Sequence, residues 1–129
     1  MARNRKKKFN ETQIYLDGIA LNDELNKICL NMQRDYRNVY FPILSNNCYA
    51  FLRTFLKVYD ENDNDLKYKL CRQLFSRIRE IELSIDAVWR LHILTDKQYY
   101  KIRKILGALH KQVVGFLDSL KSKVTTLIN

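Results

Sequence analysis

The stretch TDKQYYKIRKILGALHKQVVGFLDSLKSK, from Thr95 to Lys123, decides the fold class. Tyr99, Ile102, Leu106, Leu109, Val113, Phe116 and Leu120 recur at alternating three- and four-residue steps. That spacing stacks side chains in one apolar stripe along an α-helix. Lys97, Lys101, Lys104 and Lys111 fall at offsets of four, seven and fourteen, on a different face. Thr95 followed by Gln98 is a capping box that starts the helix. One helix thus offers a seam for packing and a basic edge for an anion or for solvent.

The residues before Thr95 repeat the pattern. Leu66, Leu70, Leu74, Ile78, Ile81, Ile85, Val88 and His92 hold a near-heptad stripe, flanked by Cys71, Phe75 and Trp89, which predicts a helix from about Asp63 to Ile93. Ahead of it lies DENDND, Asp60 to Asp65. Its alternating acids resemble a calcium loop, but the sixth position would be Asp65 where Gly is needed, and the twelfth Cys71 where Glu is needed. An interhelical loop with Asn62 or Asp63 as cap is the expectation. Another stripe, Cys48, Leu52, Phe55 and Tyr59, widened by Phe51 and Leu56, predicts a helix starting at Ser45 to Asn47. Leu21, Leu25, Ile28, Met32, Tyr36 and Val39 predict one capped by Asn22 and ended by Pro42, since the residue before proline disfavours helical geometry. Residues 11–17 fit a short helix ending near Gly18.

With only three Gly and one Pro in 129 residues, there are few of the breakers that punctuate sheets and long loops. The expected fold is all-α: an antiparallel up-down-up-down four-helix bundle over residues 10–129, with a disordered basic arm over residues 1–9. Wide apolar faces on the second and third long helices leave room for self-association. Cys29, Cys48 and Cys71 form an odd set without CxxC spacing, so buried free thiols are expected rather than disulfides or zinc ligands. No run reaches the ~18 apolar residues of a membrane span, and FNETQIYLDG after the arm is too polar for a signal-peptide core. These features point to a cytoplasmic protein without membrane partners.

Chemistry is sparse. His92 and His110 lie on different predicted helices, no nucleophile is paired with either by spacing, and there is neither Glu-x-x-His nor a glycine-rich phosphate loop. Neither an enzyme nor a metal or cofactor site is expected. Basic surface remains. The formal charge is +9, and Arg3, Arg5, Lys6, Lys7 and Lys8 all precede residue 9. Lys69, Arg72 and Arg79 share a face of the third long helix, and Arg90 ends that helix near Lys97. Lys27, Arg34 and Arg37 form another set, and Arg53 with Lys57 a fourth. Each set suits a nucleic-acid backbone, where Lys and Arg displace condensed counterions, and each alone also suits a solvated face. Tyr99 and Tyr100 could stack on bases, although Tyr99 belongs to the apolar stripe.

Two blocks resemble a known family, the small basic four-helix-bundle proteins that include the accessory variability determinants of diversity-generating retroelements and the ribosomal-RNA intervening-sequence proteins. One is Tyr40-Phe41-Pro42, similar to the family's Phe-Pro turn. The other is IDAVWRLHILTDKQYYKIRKILGALHKQVVGFLDS, residues 85–119, which resembles the family's arginine-bearing helix end and Thr/Ser-x-x-Gln-Tyr helix start. The chain departs from it at Ile43, where many relatives carry a basic residue, and at Asn46 or Asn47, where an Arg is expected. The resemblance implies a non-enzymatic homopentamer that binds a reverse transcriptase and its template RNA or RNA/DNA. It also implies that Arg90, Lys101 and Lys104 match basic family positions. Local charge adds Lys97, Lys111, Arg72, Arg79 and the arm residues Arg5, Lys6, Lys7 and Lys8. The alternatives are a structural oligomer of the intervening-sequence type and a DNA-binding mobilisation accessory protein.

Overall fold

The computed structural model describes residues 6–124, and among them the chain forms four α-helices and no strand. A 3-10 turn at Phe9–Glu11 precedes α1 (Gln13–Leu30), α2 (Arg34–Asp60), α3 (Asn64–Arg90) and α4 (Asp96–Lys121). Three of the four starts are capped by a side chain. The Thr12 hydroxyl accepts from the Tyr15 amide, and the Asp63 carboxylate accepts from Leu66 N at 3.0 Å. At α4, Thr95 Oγ1 accepts from Gln98 N at 3.1 Å while Gln98 Oε1 accepts from Thr95 N at 3.0 Å, the reciprocal capping box expected there.

Burial follows the stripes except at Tyr36, Val39 and Leu66, which are exposed. Leu21, Leu25 and Ile28 of α1, Leu44, Cys48 and Phe51 of α2, Leu74 through Val88 of α3, and Ile102 through Val113 of α4 merge into one apolar core. The three thiols are free and buried. The main contacts join α1 to α2, α2 to α3, α3 to α4 and α4 back to α1. Polar pairs mark the seams: Asn47 with Ser84, Asp86 with Tyr99, Glu82 with Arg103, and Asp17 with Gln112.

The helix break in the first half of the chain lies elsewhere than expected. No helix ends at Pro42; it lies inside α2, and the chain breaks at residues 31–33. The helix expected from Asn22 to Pro42 is therefore divided between α1 and α2, and the short helix of residues 11–17 is the start of α1. Two facts explain it. Pro42 and Asn38 are both exposed, so water can take the Asn38 carbonyl that loses its amide partner. Continuing the helix also places Leu44, Cys48, Phe51, Phe55 and Val58 on one buried stripe. At the real break, Asn31 closes α1 by donating Nδ2 to the Lys27 carbonyl at 3.2 Å.

Gly18 is likewise not a terminator. A Cβ added there would lie 2.9 Å from Leu52 Cδ2 and 3.3 Å from Phe51 Cε1, so its role is to let α1 approach α2. α3 stops at Arg90 instead of Ile93, and His92 is an exposed residue of the turn, not part of the seam.

The arm is also corrected in part. From Lys6 onward it is held against the bundle. Lys6 Nζ donates to the Tyr59 carbonyl at 3.0 Å, the Tyr59 hydroxyl donates to the Lys7 carbonyl, and the Phe9 ring lies 5.4 Å from that of Phe55. Arg3 and Arg5 lie outside the described residues.

Candidate nucleic-acid interface

α4 presents the most continuous basic surface. Its core-facing stripe turns Lys97, Lys101, Lys104 and Lys111 outward, and all four are exposed. At ~1.5 Å of rise per residue, Lys97, Lys104 and Lys111 follow one another about every 10 Å, close to three phosphate steps of a duplex strand at ~3.4 Å each. Lys97, Lys104 and Lys111 form no ion pair with a described residue. Lys101 differs, because its Nζ sits 3.1 Å from Glu24 Oε1 on α1. That carboxylate neutralises part of the charge a ligand would otherwise meet.

The aromatic residues of this region divide in two. Tyr99 stacks on Trp89 with centroids 4.1 Å apart and 11° between planes, and its hydroxyl donates to Asp86 at 2.8 Å. Burial, and then the Asp86 carboxylate that it bonds, push the Tyr99 phenol upward from its ordinary value. Trp89 Nε1 donates to Asp96 Oδ1 at 3.0 Å, which pins the same turn. Tyr99 is thus engaged within the fold. Tyr100 meets the Tyr99 ring at 67° with centroids 5.5 Å apart, yet it is 64% exposed and stands beside Lys97, Lys101 and Lys104, where an aromatic ring suits stacking on a base.

Arg72, Arg79 and Arg90 form a second row. Offsets of seven and eleven put them on one face of α3, and all three are exposed. Arg79 Nη1 lies 3.8 Å from Glu82 Oε1, while Glu82 Oε2 accepts from Arg103 at 2.9 Å. Glu82 therefore ties α3 to α4 and leaves Arg72 and Arg90 as the cations of this row without an ion pair among the described residues. Arg90 borders a cleft with Trp89, His92 and Asp96 at the α3–α4 turn, close to Lys97.

The expected residues thus divide into two rows, on α4 and α3. Lys6 and Lys7 lie at the other end of the molecule, beside Tyr59, and belong to neither row. Lys27 of α1 is separated from Arg34 and Arg37 of α2 by the turn, so that set does not share one helix face. Spacing alone did not distinguish Tyr100 from Tyr99, or Lys101 from its neighbours. The stripe membership of Tyr99 was the available signal for the first pair. No sequence signal announced Glu24 opposite Lys101, because that contact depends on how α1 meets α4. Among the described residues no group of His, Cys, Asp and Glu is arranged to hold a metal ion. Among the described residues, no helix is long and apolar enough to cross a membrane. No protein-family model, curated protein or solved structure matches this chain.

Proposed function

We propose that this protein is a non-enzymatic, RNA-binding accessory factor of a reverse transcriptase in a diversity-generating retroelement. The observation that carries the RNA part is the unneutralised row Lys97, Lys104 and Lys111 with Tyr100 exposed beside it. Such a surface grips phosphates by counterion release and offers one ring for stacking, with no base-edge code. The polymerase partner and the retroelement setting rest on the resemblance carried by residues 85–119 and by Tyr40-Phe41-Pro42. The cross-helix pairs Asp17–Gln112, Glu24–Lys101, Glu82–Arg103 and Asn47–Ser84 support an antiparallel up-down-up-down bundle as its scaffold.

The test is retention of structured RNA by the full chain across a salt series. Lys97, Lys104 and Lys111 changed together to Glu should abolish binding at moderate salt, while Arg53 and Lys57 on α2 changed to Glu should leave it nearly intact. Tyr100→Ala should weaken binding by roughly 1–3 kcal/mol without changing the salt slope. Equal losses in the two charge variants would reduce the binding to net charge and sink the assignment.

The alternative, a structural oligomer of the intervening-sequence type, is favoured by one observation: the first half of α2 exposes Tyr36, Val39, Phe41 and Ile43. The two readings are compatible, and homopentamer formation through that face is part of the proposal.

A further inference from the structure

At the end of the molecule opposite Arg90 there is a cleft of about 400 Å³. Ile14, Phe55 and Phe116 supply apolar walls, and Lys6, Lys7 and Lys67 supply the charge. Three lysines and no carboxylate line it. Lys6 is fixed by its 3.0 Å bond to the Tyr59 carbonyl and lies 4.0 Å from the Tyr59 ring centroid. Lys67 projects from α3 with its Nζ 5.8 Å from the Phe116 ring centroid. The Lys67 ammonium is held below the usual lysine range, first by burial and then by repulsion from Lys6 and Lys123. Glu61 offsets this only in part.

The polar floor is oriented as well. The Asp17 carboxylate accepts from Gln13 Nε2 at 2.8 Å and from Gln112 Nε2 at 2.6 Å. Both amides are thereby turned so that their oxygens face away from Asp17. Gln112 lines the cleft, and its Oε1 is buried without a hydrogen-bond partner. A buried acceptor left unpaired costs roughly 1–3 kcal/mol, so the floor of the cleft is held in place at a cost. Cations that repel one another over an apolar wall gain from an anion that also has an apolar body.

We propose that this cleft binds a small amphipathic anion: an aliphatic or aromatic body on Ile14, Phe55 and Phe116, ending in a carboxylate or phosphate held by Lys6, Lys7 and Lys67. The site is independent of the α4 surface and uses the part of the basic arm that the structure holds in place. It takes the charge of Lys6 and Lys7 away from the nucleic-acid reading and assigns it to a built pocket.

The probe is 1-anilinonaphthalene-8-sulfonate, which combines an aromatic body, an N–H and an anionic group. Its fluorescence is titrated with the full chain under native conditions. One bright site per chain is expected, displaced by laurate or dodecyl phosphate below their micelle concentrations. Dodecanol and inorganic phosphate, each carrying half of the required chemistry, should displace it poorly. Displacement by laurate alone identifies a carboxylate ligand and by dodecyl phosphate alone a phosphate ligand; both outcomes support the site. Lys67→Gln and the Lys6→Gln/Lys7→Gln pair should each weaken binding about tenfold with far-UV circular dichroism unchanged. The Lys97/Lys104/Lys111→Glu variant should bind the probe as the parent does, which separates failure here from failure of the RNA reading. Dodecanol displacing as well as laurate, unaltered binding in Lys67→Gln, or no binding at all would each overturn the proposal.

Discussion

His92 has a backbone φ of 60°, the left-handed region that costs an L-residue with a Cβ roughly 1–2 kcal/mol. It sits just beyond α3, where the amide of His92 bonds the Trp89 carbonyl and that of Ile93 bonds Val88, the paired bonds of a Schellman ending. Glycine would adopt this conformation without strain. His92→Gly is therefore expected to stabilise the protein by about 1 kcal/mol in urea unfolding, and a loss of stability would mean that the ring is needed in its cleft. The position was misread from sequence because a histidine continuing a near-heptad stripe carries no mark of a turn. The thiols were read correctly, since small apolar residues inside helical stripes go to the core. Burial pushes Cys48 and Cys71 from 9.0 up to about 12. The folded state thus keeps protons that the unfolded chain releases. Their contribution is whole below pH 9.0 and is lost as pH rises toward about 12. The urea midpoint should fall through that window, and less steeply in the Cys48→Ala/Cys71→Ala variant. An identical fall would acquit the thiols.

At the scale of elements, the number of long helices was legible and one boundary was not. Pro42 is the strongest local breaker in the chain, and Asn31 to Gln33 contains neither proline nor glycine. The outcome is decided by packing: an unbroken α2 buries five stripe residues, and an exposed site limits the cost of the missing amide. Some cost remains, because the Asn38 carbonyl has lost its partner. Pro42→Ala should raise stability by roughly 1–3 kcal/mol, measured by urea unfolding at neutral pH. Destabilisation would show instead that the proline directs the first half of α2. The capping box at Thr95 was legible for the opposite reason, since it is built wholly from residues three apart in the chain. Lys101 shows the limit of such local reading. Its exposure follows from helix phase, but its pairing with Glu24 depends on contact between the first and last helices.

For the molecule as a whole, the exposed surface is uneven in two ways. Cations concentrate on the α4 ridge and around the Lys67 cleft, whereas apolar side chains concentrate at the α1–α2 turn and along the first half of α2. Leu30 is 72% exposed and Val39 56%, with Tyr36 and Ile43 on the same side of α2 as Val39. No buried residue occurs in α2 before Leu44. An apolar strip of this kind marks an interface, and a specific one covers about 800 Å² per partner. Light scattering should give an oligomeric mass for the parent, falling toward one chain in Val39→Glu/Ile43→Glu with helicity retained. A parent that runs as a monomer at all concentrations would remove the self-association reading. The stripes had placed the wide apolar faces on the second and third expected helices, whereas this strip lies in residues assigned to the end of the first, because its position depends on where α2 begins.

The contact between Lys6 and Tyr59 has a consequence for α2 itself. An α-helix leaves its last four carbonyls without intrahelical donors and carries a partial negative charge at that end. Tyr59 is the penultimate residue of α2, and the ammonium that reaches its carbonyl comes from a segment 53 residues away. Lys6 thus acts as a C-terminal cap supplied by a distant segment of the same chain, adding a hydrogen bond and a positive charge where the helix dipole favours one. The basic run expected to be a disordered arm is, at this residue, the finishing piece of the second helix.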